Sequence, residues 1–257
     1  MNKANAILFL LFLSGKLFAQ DSTAATAAAK ADDPSQFITR MEFYNELQHY
    51  NKQDIYLNQT ILRNIIRIGK KFTTRVDLPF VYNSFNAPSD IKQSGMGDIS
   101  FRLLGYKLIE NPISAITASI EISLNTAQSS LLGTGKNIII PVISYSRLFP
   151  KSKSLFSVVL QQSNSISGDE KRNDINFTKL QLIGLQMLSR KTWVVIAPEW
   201  FFDYENGGVS MNMRTRLTHA PSPRINIWVT PAAGIFGDFV GRYQWGADIG
   251  GRYFLFR

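Results

Sequence analysis

The stretch GADIGGRYFLFR, residues 246–257, decides the fold. Together with the residues before it, RYQWGADIGGRYFLFR from Arg242, it alternates. Tyr243, Trp245, Ala247, Ile249, Tyr253 and Leu255 fall on one side, and Gln244, Asp248 and Arg252 on the other. Period-two alternation marks a strand with two different environments. A strand that persists this far along the chain needs a partner on both edges, which a closed barrel supplies by pairing its last strand with its first. The aromatic ending also has the character of a signal read by the outer-membrane assembly machinery. Phe256 then falls on the inner side unless a one-residue bulge intervenes. The alternative is the last strand of a soluble sandwich.

The other end points outward from the cytoplasm. MNKANAILFLLFLSGKLFAQ carries Lys3, a short apolar run from Ala6 to Leu13, and Ala19 before an expected cut. This is a signal-peptide pattern over residues 1–19, with Leu17 where a smaller residue is preferred; an uncleaved anchor is the alternative. Residues 20–35, QDSTAATAAAKADDPS, read as a flexible periplasmic segment, and residues 36–257 as the barrel.

Composition narrows the classes further. The chain has no cysteine, which excludes disulfides, thiolate metal sites and a lipidated cysteine. The formal charge of +9 drops by two, for Lys3 and Lys16, once residues 1–19 are set aside. The basic residues are scattered singly, so no nucleic-acid partner is expected. After the leader no apolar run reaches the roughly 18 residues a spanning helix needs. A β-barrel needs only every second residue to be apolar.

About twelve strands are expected by pattern, at 36–49, 54–68, 71–83, 97–108, 112–126, 137–148, 154–165, 174–188, 191–203, 208–219, 224–235 and 240–256. Several alternate cleanly. Val76, Leu78 and Phe80 oppose Arg75 and Asp77; Ile99, Phe101 and Leu103 oppose Ser100 and Arg102. Ile116, Ala118, Ile120 and Ile122 oppose Thr117, Ser119 and Glu121; Ile225, Ile227 and Val229 oppose Asn226 and Thr230. Pro79, Pro141, Pro198 and Pro231 lie inside strand candidates, where each removes a ladder donor. The connections alternate in length. GKK, ENP, FPKSK and SRK are short, whereas NSFNAPSDIKQSGMG, AQSSLLGTGK and SISGDEKRND are long. Outer-membrane barrels have short periplasmic turns and longer outer loops, and a sealed cylinder leaves no backbone group unpaired in lipid. The expected class is therefore all-β: a membrane-spanning, antiparallel, up-and-down barrel of about twelve strands in the cell outer membrane, in contact with its lipids.

Residues 95–147 contain GMGDISF, then LLGTGK, then NIIIPVISY. Gly95, Gly97 and Asp98 open one strand, and Gly133 and Gly135 precede a strand containing Pro141. In this the chain resembles the outer-membrane transporter family named after the MetA pathway of phenol degradation. It departs from that family's pattern at LNTAQ (124–128), where Pro-Thr-Gly is common. The resemblance implies a barrel that passes small hydrophobic or aromatic compounds.

For function, charge is the signal. Arg63, Arg67, Arg75, Asp77, Arg102, Glu121, Glu199, Arg214, Arg216, Asp248 and Arg252 all fall on inward faces. A charge facing lipid at mid-bilayer costs roughly 2–4 kcal/mol, which is the reason for the inward placement. These residues either fill the lumen with salt bridges or, through an excess of arginine, favour anionic solutes. Trp193, Trp200, Trp228 and Trp245 are candidates for interfacial girdles or for pore lining. No cofactor is expected, and the two histidines, His49 and His219, make no metal motif. NGGVSMNMRTR places Ser210, Arg214 and Arg216 as in an outer-membrane phospholipase, but no histidine stands two residues before Ser210, so no catalytic residue is assigned. The expected function is passive passage of a small solute, hydrophobic or anionic; the alternatives are a plugged structural or adhesive barrel and a lipid hydrolase.

Overall fold

The computed structural model describes residues 30–50, 54–85, 90–237 and 243–255. The signal-peptide stretch and Phe256 lie outside these. The strands are β1 (Arg40–Tyr50), β2 (Ile55–Ile68), β3 (Phe72–Phe85), β4 (Ile91–Met96), β5 (Ser100–Glu110), β6 (Ser114–Ser123), β7 (Lys136–Phe149), β8 (Ser154–Gly168), β9 (Asn176–Met187), β10 (Thr192–Asp203), β11 (Val209–Ser222), β12 (Ile225–Phe236) and β13 (Trp245–Phe254). All pairings are antiparallel. The ring closes through β1 and β13, with Arg40 opposite Phe254 and His49 opposite Trp245. β4 pairs with the upper half of β3 and β5 with its lower half, so the two together serve as one spanning strand of a twelve-strand cylinder.

Two expectations change here. The stretch 83–97 contains β4, a hairpin partner of β3, and is not an open loop through 84–96. Its polar sequence (IKQSGM) hides the strand because it sits at the aqueous rim, where alternation has no lipid to answer to. Residues 36–39 precede the first strand and do not belong to it.

The alternation holds around the ring. Ile249 is 64% exposed on the outer face, while its neighbour Asp248 is 2% exposed inside. Tyr243 is the exception in the last segment. It precedes β13 and is buried. In β5 the pairs Leu103–Leu104 and Leu108–Ile109 break the period. All four are exposed, and the register with β6 shifts once at each pair. Two bulges thus keep Arg102 and Lys107 inward while every leucine faces lipid.

The four strand prolines each sit at a break in a hydrogen-bond ladder. Pairing skips Pro141 between β7 and β8, Pro198 between β9 and β10, and Pro231 between β11 and β12; Pro79 marks the switch from β4 to β5. A residue without an N–H is accommodated where no bond is asked of it.

The outward face gives a direct prediction. Ile249→Arg sets a guanidinium into hydrocarbon near mid-strand and should destabilise the barrel by about 2–4 kcal/mol. Reversible denaturant unfolding in lipid vesicles reads this, with the inward-facing Gln181→Arg as the milder comparison.

Candidate functional site

The lumen is not empty. Residues 30–38, of which 30–35 fall in the stretch expected to be flexible, dock inside its periplasmic half. Lys30–Asp32 form one 3-10 turn, and the chain then folds on Asp33, which accepts hydrogen bonds from the Ser35 amide (2.9 Å) and hydroxyl (2.8 Å). Ala31 joins an apolar cluster with Leu155, Leu185, Trp193, Ala220 and Phe254. Asp32 is the anchor. It accepts from Arg252 Nη2 at 2.8 Å, from Arg216 Nη1 at 3.4 Å and from Trp193 Nε1 at 2.6 Å. Burial alone would raise its carboxyl, but Arg252 and Arg216 outweigh that and hold it below the ordinary aspartate value. Composition describes a segment by itself, and residues 30–35 are held by arginines far along the chain. The signal was the Asp-Asp pair just before a barrel whose inward faces are rich in arginine.

The charged residues assigned to inward faces make the following contacts. Glu121 pairs with Arg102 (2.7 Å) and Arg75 (2.6 Å); Arg75 and Arg63 share Asp77 (3.3 and 2.7 Å). Arg63 reaches Glu42 (3.8 Å), which also holds Arg40 (2.7 Å) and Arg252 (3.4 Å). From Arg252 the chain of charges passes through Asp32 to Arg216, on to Asp248 (3.6 Å), Arg214 (2.6 Å) and Glu46 (2.7 Å). Glu199 accepts from Gln181 Nε2 at 2.8 Å. Seven arginines and six carboxylates are linked in this chain, so the expected large excess of arginine is mostly cancelled by Glu42, Glu46 and Asp32, which the sequence reading did not single out. Arg67 is the one departure. It is exposed at the periplasmic end of β2, and its Nε donates to the Gly69 carbonyl at 2.6 Å, so it does not face the lumen interior.

The wall from β6 to β10 is different. It carries small hydroxyls and apolar side chains beside Gln161, Lys179 and Gln181, with Thr117 and Ser144 bonded at 2.6 Å and Ser146 and Ser157 at 2.8 Å. Between this wall and the charged one lies a chamber of about 380 Å³, floored by Pro34 and Phe37 of the docked segment. Trp193 and Trp228 are buried on the lumen side, where the Trp228 indole donates to Asp248 at 2.5 Å; they are not girdle residues. Trp200 and Trp245 face outward, and Trp245 packs near His49 and Tyr56 at the outer rim.

The glycine-rich motif builds a second narrowing, at the outer mouth. Asp98 Oδ1 accepts from the amides of Thr126 and Ala127, both at 3.1 Å. Its Oδ2 accepts from the Thr134 amide (2.7 Å) and hydroxyl (2.9 Å). One carboxylate therefore clamps both ends of the loop 124–135. The loop turns inward: Asn83 on the lumen face donates to the Leu131 carbonyl at 2.7 Å, and Leu132 is buried. Arg172, from the loop 169–175, donates to the carbonyls of Ser130 and Gly133. A Cβ at Gly133 would lie 2.6 Å from Asp98 Oδ1 and 2.5 Å from the Ala127 Cβ, and Gly135 has φ +76°, so neither position accepts another residue without a shift. Gly95 and Gly97 pack under the same loop, beside Gln128 and Leu132. Pro141 takes no part in the clamp and lies outward in β7.

No hydrolase site is assembled among the described residues. Ser210 is buried on the lumen side. His49 meets Asp54 at 3.2 Å at the outer rim, and His219 meets the Thr192 hydroxyl at 3.0 Å on the outward face near a periplasmic turn. A group of three or more His, Asp or Glu side chains able to hold a metal is likewise absent among the described residues.

No protein-family model and no curated protein matches the chain. Solved structures do. The COG4313 outer membrane channel from Pseudomonas putida F1 superposes with a TM-score of 0.71 at 13% identity, covering 87% of this chain and 99% of that one. The KdgM porin gives 0.58 at 10% identity, covering 84% and 99%, and the NanC porin 0.57 at 9%, covering 85% and 100%. The likeness is one of fold: the chain shares with these structures a closed, antiparallel β-barrel, here with an apolar outer face.

Proposed function

We propose that the protein is a passive outer-membrane channel for small solutes, with its passage set by two internal elements. The observation that carries this is the chamber of about 380 Å³ lined by the barrel wall and by Pro34 and Phe37 of the docked segment. A structural barrel has no need of a hollow once its lumen is charge-paired, and 300 Å³ or more is the scale of small-molecule sites. The chamber mixes the Arg75–Glu121–Arg102 group with Phe37, Val142, Val159 and Ile183. That lining supports a solute of about one ring or a short chain, with a polar head and an apolar body.

The expected result in planar bilayers is discrete current steps of small amplitude, with liposome swelling for the smallest solutes only. Absence of both, in the intact chain and in a form lacking residues 30–37, would remove the channel reading. A non-conducting barrel is the second reading, and the tight hold on Asp32 favours it. Current that is silent in the intact chain and appears only on removing the segment would choose it.

A further inference from the structure

We propose that Lys179 anchors a subsite in the chamber for a small organic carboxylate. The use of such a site in transport rests on the channel reading; the binding itself does not.

The argument begins with charge pairing. Each arginine of the chamber wall has a carboxylate: Arg75 and Arg102 lie 2.6 and 2.7 Å from Glu121. The buried lysines elsewhere are also paired, Lys107 with Glu110 and Lys136 with Asp174. Lys179 differs. It lines the chamber, is half-buried, and among the described residues has no carboxylate within salt-bridge distance and no hydrogen bond to its ammonium. The two acids nearest to it by strand register, Glu199 and Asp203, accept other hydrogen bonds, Glu199 from Gln181 Nε2 at 2.8 Å and Asp203 from the Glu205 and Asn206 amides, both at 2.9 Å. A half-buried cation without a partner is costly, and a bound anion relieves the cost.

The surroundings define the rest of the ligand. Gln161 stands directly opposite Lys179 in the register of β8 and β9, and among the described residues its side-chain amide is unbonded. Ammonium and amide together offer donors to both oxygens of one carboxylate, and charge-assisted bonds are the stronger kind. Val159 and Ile183 follow along the same two strands, and Phe37 closes the floor. These give an apolar body somewhere to rest. The volume of about 380 Å³ admits a single ring with its head group. A cationic head group would meet Lys179 itself, and the one acid in the chamber lining, Glu121, is already held by Arg75 and Arg102.

Benzoate and benzamide, alike in shape and different in charge, make the test. Ligand-observed NMR titration of the full chain in detergent should show benzoate binding at least about tenfold tighter than benzamide, or about 1.4 kcal/mol. Lys179→Gln should bring benzoate down to the level of benzamide, and Lys179→Arg should keep most of the preference. Each variant is first checked for the gel shift on heating that marks a folded barrel. Equal binding of the two probes, or benzoate binding untouched by Lys179→Gln, overturns the proposal. So does chloride competing as well as benzoate at equal concentration, which would mean an inorganic anion site only. Because no current is measured, a barrel that binds but does not conduct removes only the channel reading, and one that conducts without discriminating removes only the subsite.

Discussion

Removal of residues 30–37 raises the single-channel conductance several-fold: that is the largest functional change expected of any alteration to this protein. The segment lies across the periplasmic half of the lumen and forms the floor of the chamber. Without it the passage opens from chamber to periplasm. The deletion also strips Arg252 and Arg216 of Asp32. Arg252 keeps Glu42 at 3.4 Å but loses its shortest carboxylate contact, that to Asp32 at 2.8 Å. Breaking a fully buried pair costs about 3–5 kcal/mol, and here Glu42 and the water entering the opened passage make the loss smaller. A loss of thermal stability should therefore accompany the gain in current. Asp32→Asn separates the two effects. The segment remains, its charge is gone, and the expected record is flicker between the intact and the open level. A depressed carboxyl keeps its stabilising charge above the ordinary aspartate range and loses it only as pH falls through its own lower value. The segment should thus stay docked from neutral pH down past that ordinary range. An unchanged conductance after deletion would show that the segment does not limit the passage.

Asp98→Ala is the second large change. It removes the acceptor for four donors at once, from Thr126, Ala127 and Thr134. Hydrogen bonds to a charged group are worth about 1.5–3 kcal/mol each when well made, less where water competes, so the clamp as a whole outweighs the remaining hold of Asn83 and Arg172. Expected results are open-channel noise several times the wild-type level and protease cleavage between residues 124 and 135, with little change in barrel unfolding. Asp98→Asn should be intermediate, since an amide keeps only one accepting oxygen and serves one end of the loop. If neither noise nor cleavage moves, the loop is held by the packing of its buried Leu132 and not by this carboxylate.

The barrel was legible in the sequence because lipid enforces alternation along each strand. Where lipid is absent, the signal fades. β4 lies at the aqueous rim and was read as loop; the bulges in β5 were hidden because Leu103–Leu104 and Leu108–Ile109 look like strand core in any register. The charged residues read as inward take part in the ion pairs and hydrogen bonds described above, and Arg67 lies at an exposed turn. Their pairing was not legible. Which acid meets which arginine depends on neighbours across the ring, and Asp32 comes from a stretch whose composition is that of a loose tail. The Gly95–Gly97–Asp98 motif was visible as tight backbone, but its partner lies 28 to 36 residues away, beyond what local pattern can show.

The bond between Asp32 and Arg252 joins groups 220 residues apart, one just before the first strand and the other in the last. It can exist only after the seam between those strands has zipped. Biogenesis therefore ends in a single coupled event, with the leading residues trapped as the final strand arrives. A chain whose last strand is mispaired leaves Asp32 and Arg252 apart, so the docking of the leading residues and the closure of the cylinder stand or fall together.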